Sequence, residues 1–186
     1  MYKILGFVII TCAINASVFT LLSSPESLML TKDAINQPWR LLTFQFCHIS
    51  QMHLTENIIG FILIGLIATE IDMNIKDFLL AYYASVFIVI PFILLLAAEY
   101  AMAGNSTGIY GALSMTFIKI RKLIPLKVTI PLSALFIFPT TITDLIGEYP
   151  HAENYLQSEF YHLIGFVSGA ITPLVSIKKP KHILRG

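Results

Sequence analysis

Four polar side chains lie within otherwise apolar segments, where polar groups are costly and mark candidate functional sites. They are His53, Asn57, Ser106 and His162. A serine, an imidazole and further hydrogen-bond donors are the groups that Ser–His nucleophilic catalysis requires. In that chemistry the imidazole accepts the hydroxyl proton and later returns it to the leaving amine. These residue types therefore indicate acyl transfer, the class of reaction that breaks peptide bonds.

Local spacing indicates how these groups are presented. His53 and Asn57 are four residues apart, so they share one helical face, and His48 comes just before them. Ser106 opens an apolar segment, where the free N–H groups of a helix N-terminus would suit a developing oxyanion. Tyr110 lies one turn further along the same face, where its ring could support an imidazole.

His162 is followed at three and seven residues by Gly165 and Gly169, which would let another helix approach closely. No acidic residue clearly completes a triad: Glu159 precedes His162 by three residues but is expected at the membrane interface. We therefore predict a Ser–His dyad. Each signal has an alternative, because membrane helices also use small residues, Asn and His for packing and interhelical hydrogen bonds.

Membrane-spanning helices are the elements predicted to position these groups. The 186-residue chain is 56% hydrophobic and 12% charged, whereas soluble domains carry about 25% charged residues. A spanning helix needs roughly 20 mainly apolar residues. The segments predicted to span are 4–23, 52–71, 78–98, 104–120, 128–146 and 160–177. A signal peptide is the alternative for the first, but no cleavage site followed by a polar domain is evident.

Charge placement favours this six-span, all-α arrangement. It puts most basic residues on the side of the two termini, leaving Lys32 and Arg40 on the other, so both termini are predicted to be cytoplasmic. The chain then forms a single membrane domain over 1–186, with a long outer loop at 24–50, an acidic outer loop at 147–158 and a basic tail at 178–186.

Composition also excludes some function classes. A net charge of +1 argues against a strongly basic nucleic-acid binder. The five His and two Cys show no ligand cluster, so we expect neither a metal nor an organic cofactor.

As a set of spaced motifs, these residues resemble the rhomboid family of intramembrane serine proteases. The resemblance runs in the family's order, and its motifs are Trp39-Arg40, His48-x4-His53-x3-Asn57, Gly104-x-Ser106, Tyr110 and His162-x2-Gly165-x3-Gly169. The short chain and the Trp-Arg-Leu-Leu-Thr run also look like the rhombosortase branch, which processes proteins with a C-terminal Gly-Gly sorting tail.

The resemblance implies a role for each matching residue of the site. Ser106 would be the nucleophile and His162 the general base. His53 and Asn57, with the backbone N–H of Ser106, would form the oxyanion hole. Tyr110 would stack against His162.

Further residues match supporting positions of the family. Gly104 belongs to the serine motif, and His48 precedes the oxyanion pair. Gly165 and Gly169 would let the fourth and sixth spans pack closely. Trp39 and Arg40 would stabilise a first loop that sits partly in the outer leaflet, and Glu70 would have a structural role.

One position departs from the family pattern. Thr107 follows the serine where glycine is usual, with Gly108 one place later, and its Cβ would crowd the oxyanion pocket or the sixth span.

The expected function is hydrolysis of peptide bonds in or near the transmembrane segments of single-pass or tail-anchored proteins, in a prokaryotic inner membrane. Two alternatives remain. One is a catalytically silent rhomboid-like protein that binds membrane clients, which Thr107 favours. The other is a small transporter, against which the chain shows neither inverted repeats nor broken helices in both halves.

Overall fold

A computed structural model describes residues 2–22, 24–96, 101–121, 123–125, 127–128, 131 and 152–175. Most of the predicted fifth span and the basic tail at 178–186 lie outside the described residues. The α-helices within them are α1 (Lys3–Leu21), α2 (Arg40–Thr43), α3 (Gln51–Glu70), α4 (Ile75–Leu95), α5 (Ser106–Ile120) and α6 (Ala152–Val175). Three short 3-10 helices lie in the first loop, at Pro25–Ser27, Lys32–Ile35 and Phe44–Phe46.

Three of the described helices, α1, α3 and α4, are long and apolar enough to cross a bilayer. Large apolar side chains on their outer surfaces are exposed, among them Ile10, Leu66 and Ile88. Such surfaces are stable in lipid, which is as apolar as the side chains themselves. The chain is therefore an integral membrane protein whose described secondary structure is helical, and the number of six spans stays a prediction.

Two predicted boundaries were wrong, each for a physical reason. The fourth segment becomes helical at Ser106 and not at Gly104, because Gly104 has a φ of 94°, outside the right-handed helical region. The last helix begins at Ala152, so 152–158, predicted as part of an acidic loop, is helical. Hydropathy detects the apolar part of a helix, whereas backbone hydrogen bonding continues into its polar end.

Helix α5 occupies the centre of the described bundle, with every residue from Ser106 to Thr116 buried. Small residues let its neighbours come close. On the α4 side, a Cβ built on Gly108 would lie 2.8 Å from Cε2 of Tyr82. On the α6 side, Gly169 packs against the backbone of Gly111. This central position lets α5 present its first residue to groups from several elements.

Aromatic rings connect α1, α3 and α4. Phe61 of α3 stacks on Tyr82 of α4 with ring centroids 5.1 Å apart. Phe7 of α1 meets both rings edge-on, at 6.0 Å from Phe61 and 5.4 Å from Tyr82. Such pairs add about 0.5–1.5 kcal/mol each beyond burial, so they hold α3 and α4 in place around α5.

Candidate active site

Ser106 and His162 meet at the end of the bundle where α5 begins. Nε2 of His162 lies 2.9 Å from Oγ of Ser106, although the residues are 56 positions apart. Both are nearly buried, Ser106 being 6% and His162 9% exposed. A serine Oγ–H can donate to a neutral imidazole nitrogen at this distance, which is the arrangement of a hydroxyl nucleophile and its base.

The ring of His162 is held from one face by Tyr110. The two rings are stacked, with centroids 4.5 Å apart and planes 18° apart. Because Tyr110 is one turn after Ser106 on α5, the same helix that carries the hydroxyl also restrains the plane of the imidazole.

Close backbone packing brings α6 to α5. A Cβ built on Gly165 would lie 2.5 Å from the carbonyl oxygen of Thr107. Ser85 of α4 adds a buried hydrogen bond, donating from Oγ to the carbonyl oxygen of Gly165 at 2.7 Å. Sequence reasoning missed Ser85, although a serine within a strongly apolar span was a possible signal.

His53 and Asn57 converge on the backbone just before the serine. A Cβ built on Gly104 would lie 3.0 Å from Cε1 and 3.2 Å from Nε2 of His53, and 3.3 Å from Nδ2 of Asn57. The positive φ of Gly104 is also a conformation that side-chain-bearing residues rarely adopt. Glycine therefore leaves room for two polar side chains next to Ser106.

His48 orients Asn57. Nδ2 of Asn57 donates to Nε2 of His48 at 3.0 Å, and the rings of His48 and His53 are in edge contact at 5.1 Å. His48 precedes α3 and is 1% exposed. Burial lowers the pKa of His48 to about 4, so near neutral pH its ring is uncharged and Nε2 can accept this hydrogen bond.

A buried chain of amides supports Asn105, the residue before Ser106. Nδ2 of Asn15 in α1 donates to Oδ1 of Asn105, and Nδ2 of Asn105 donates to the hydroxyl of Tyr82, both at 3.2 Å. Sequence reasoning missed this chain. The signal was Asn15, a polar residue in the middle of an apolar span.

Trp39 and Arg40 brace the first loop. Nη1 of Arg40 donates to the carbonyl oxygens of Glu26 and Met29, both at 2.8 Å, and Nε1 of Trp39 donates to the carbonyl of Ser27 at 3.2 Å. The loop is in turn joined to the segment before the site.

That junction is a two-residue bridge. The backbones of Leu30 and Met102 exchange hydrogen bonds at 2.9 Å. Met102 precedes Ser106 by four residues, so the braced loop holds the segment leading to Ser106. Glu70 lies elsewhere, exposed as the last residue of α3.

Glu159 and Thr107, two further residues of the sequence analysis, lie next to the site. Glu159 was expected at the membrane interface, which stays a prediction, and the structure adds that its Oε1 is buried 3.6 Å from Nδ1 of His162. Thr107 is fully buried, with no hydrogen-bond partner for its hydroxyl among the described residues. Its backbone provides the surface on which Gly165 packs.

Residues 35–179, more than three-quarters of the chain, match the family model of the rhomboid domain. The chain belongs to the rhomboid family. Rhomboids are typically intramembrane serine proteases. The match does not separate the branches of the family, and comparison with curated proteins and with solved structures gives no significant match. In this rhomboid, α1 lies before the matched region, yet its Asn15 reaches the serine segment through Asn105.

Proposed function

We propose that this protein is an intramembrane serine endopeptidase that hydrolyses peptide bonds in or near transmembrane segments of other membrane proteins. The observation that carries the proposal is the buried 2.9 Å contact between Oγ of Ser106 and Nε2 of His162. Membership of the rhomboid family supports the same activity.

The proposed reaction begins with attack by Oγ of Ser106 on the scissile carbonyl carbon. As the C–O bond forms, the hydroxyl proton moves to Nε2 of His162 and the carbonyl π electrons move to the oxygen. The C–N bond then breaks, and the departing amine takes the proton from Nε2. A water molecule, deprotonated by the same nitrogen, releases the acyl group and regenerates the serine.

The carbonyl oxygen becomes negative in the tetrahedral intermediate and needs donors. In the proposal these are Nδ2 of Asn57, Nε2 of His53 when it carries the ring proton, and the backbone N–H of Ser106. The convergence of both side chains on Gly104 supports this assignment. Removing one such donor from a serine protease typically lowers kcat by about 10²–10³.

The reaction also constrains the setting of the site. Hydrolysis needs water, so a polar cavity would connect Ser106 to the outer side, with both termini cytoplasmic in a prokaryotic inner membrane. Single-pass or tail-anchored substrates would enter laterally, past the second and fifth spans, and unwind locally to expose the bond. By resemblance to the family, small residues are expected before the cleaved bond.

A fluorophosphonate probe tests the nucleophile in detergent and in liposomes. We expect labelling of the wild type and its loss in both Ser106→Ala and His162→Ala. Ser114→Ala is the matched control. Ser114 lies on the same helix as Ser106, and its hydroxyl donates to the carbonyl oxygen of Gly111 in that helix. Cleavage of a single-pass protein in the same liposomes, with the products identified by mass spectrometry, tests the endopeptidase activity.

The alternative outcome is equally specific. Folded wild-type protein that neither reacts with two serine-directed probes nor cleaves any substrate would overturn the proposal. The catalytically silent, client-binding rhomboid would then be favoured, and Thr107→Gly would be the first variant to test for restored labelling.

A further inference from the structure

A carboxylate lies on the side of the His162 ring that faces away from the serine. Oε1 of Glu159 is 3.6 Å from Nδ1 of His162, and the two side chains are 21% and 11% exposed. Both atoms are buried, and neither has a hydrogen-bond partner among the residues that the structure describes. Buried polar atoms are normally paired, so two facing atoms of this kind require an explanation.

The proposed chemistry supplies one, because it depends on which ring nitrogen carries the proton. Nε2 can accept the Ser106 proton only while the single N–H of the neutral imidazole is on Nδ1. The tautomer of a histidine is set by the hydrogen bond that its other nitrogen makes. Tyr110 stacks on the ring and restrains its plane, but stacking does not choose between the two nitrogens.

We propose that Glu159 is a positioning residue that accepts the Nδ1–H of His162, so that the site works as a Ser–His–Glu array and not as a dyad. This inference rests on the proposed function. Glu159 and His162 are three residues apart on α6, a spacing that places both side chains on one face.

The distance fits a contact that closes during the reaction. A hydrogen bond between these atoms would measure about 2.9 Å, roughly 0.7 Å less than the separation in the free protein. Catalytic hydrogen bonds are often long in free enzymes and shorten in the substrate complex. Glu159 and His162 belong to the same helix, and the Glu159 side chain is partly exposed, so closing the contact does not require one helix to shift against another.

Charge gives Glu159 a second effect. When the Ser106 proton reaches Nε2, the ring becomes an imidazolium, and the neighbouring carboxylate stabilises that positive charge. The proton does not pass to Glu159: it leaves from Nε2 to the departing amine, and Nδ1 keeps its own proton throughout. Glu159 is therefore unchanged over the cycle.

Nitrogen NMR of histidine-labelled protein measures the tautomer without requiring any activity. The His162 signals are assigned by their loss in His162→Asn. We expect the Nδ1–H form in the wild type and in Glu159→Asp, and a mixture of both tautomers in Glu159→Leu, which has no acceptor. Glu26→Gln, which removes an exposed carboxylate in the first loop, is the matched control and keeps the wild-type signals.

Kinetics provide the second measurement. We expect Glu159→Leu to lower kcat for peptide cleavage by about 10- to 100-fold, the size of effect given by hydrogen bonds to charged groups. KM should be unchanged, Glu159→Asp should recover most of the rate, and Glu26→Gln should match the wild type.

The two proposals fail in different ways. An unchanged Nδ1–H signal in folded Glu159→Leu overturns the role of Glu159, whatever the cleavage rate. A wild type that shows the Nδ1–H tautomer but is never labelled at Ser106 overturns the proposed function and leaves the Glu159 contact standing.

Discussion

The two halves of the candidate site are held by different kinds of contact. His162 is brought to Ser106 by α6 packing directly on the backbone of α5, with Gly165 against the carbonyl of Thr107. On the other side, His53 and Asn57 reach the backbone at Gly104 through side chains alone.

This difference predicts how each half fails. Backbone atoms cannot move aside without shifting a helix, so a change on the α6 side should disturb the fold as well as the chemistry. Side chains can rotate, so a change on the α3 side should affect catalysis more than stability. Three measurements test this contrast.

Gly165→Ala is expected to have the largest effect. The added Cβ would lie 2.5 Å from the carbonyl oxygen of Thr107, so α6 must move away from α5. We expect a loss of about 3 kcal/mol of stability, the upper end for overpacking, together with loss of probe labelling at Ser106. Thermal unfolding in detergent and fluorophosphonate labelling measure the two effects.

Two other glycines provide controls for this variant. At Gly65 the added Cβ would meet the side chain of Val8 at 2.8 Å, which can yield, so Gly65→Ala should cost about 1 kcal/mol. Gly60 has open space around its Cβ, so Gly60→Ala should be neutral or stabilising. Equal losses in all three variants would refute the distinction between backbone and side-chain contacts.

Acid should weaken the His53–Asn57 half through His48. Burial lowers the pKa of His48 from 6.5 to about 4, so between these values the unfolded chain binds a proton that the folded chain does not. The contribution of His48 to the free energy of unfolding is therefore fully present above pH 6.5. It is lost as the pH drops towards 4, and the loss is at most about 3 kcal/mol. Unfolding temperature measured across this range gives the slope.

His48→Gln separates this group from other titrating residues. An amide has no proton to gain here, so the slope between pH 6.5 and 4 should be smaller in the variant than in the wild type. Its carbonyl oxygen can still accept from Asn57, which keeps the comparison close. Identical slopes would show that His48 is not protonated differently in the two states.

Gly104→Ala should lower stability less than Gly165→Ala does, and it should have a clear effect on rate. A positive φ costs a residue with a side chain about 1–2 kcal/mol, and the new Cβ would contact Nε2 of His53 and Nδ2 of Asn57. We expect cleavage to fall about 100-fold, as for the loss of an oxyanion donor. Single-turnover cleavage and thermal unfolding on the same sample test this, and a large loss of stability with unchanged cleavage would contradict it.

Much of the architecture could be read from residue types. Long apolar stretches predicted α1, α3 and α4, because a chain in lipid must satisfy its own backbone hydrogen bonds and does so as a helix. The spacing of His53 and Asn57, and of His162 and Gly165, predicted shared faces, because a helix turns once in 3.6 residues. Family membership followed from the order of these motifs.

The contacts between helices could not be read in this way, because they depend on how the helices are rotated and how closely they approach. In lipid the outward face is as apolar as the packed face, so hydropathy does not say which side of α4 or α6 is turned inwards. The contacts of Ser85 with Gly165 and of Asn105 with Asn15 and Tyr82 were therefore not predicted.

Glu159 illustrates the same limit within the site. Its position beside an apolar stretch predicted an interfacial carboxylate, and the rotation of α6 about its axis turned Oε1 towards His162. The amino-acid sequence establishes which chemical groups this protein has and the order in which its helices carry them. Tertiary packing alone decided which of those groups touch, because contacts of about 3 Å depend on helix rotation and separation, which no local pattern encodes.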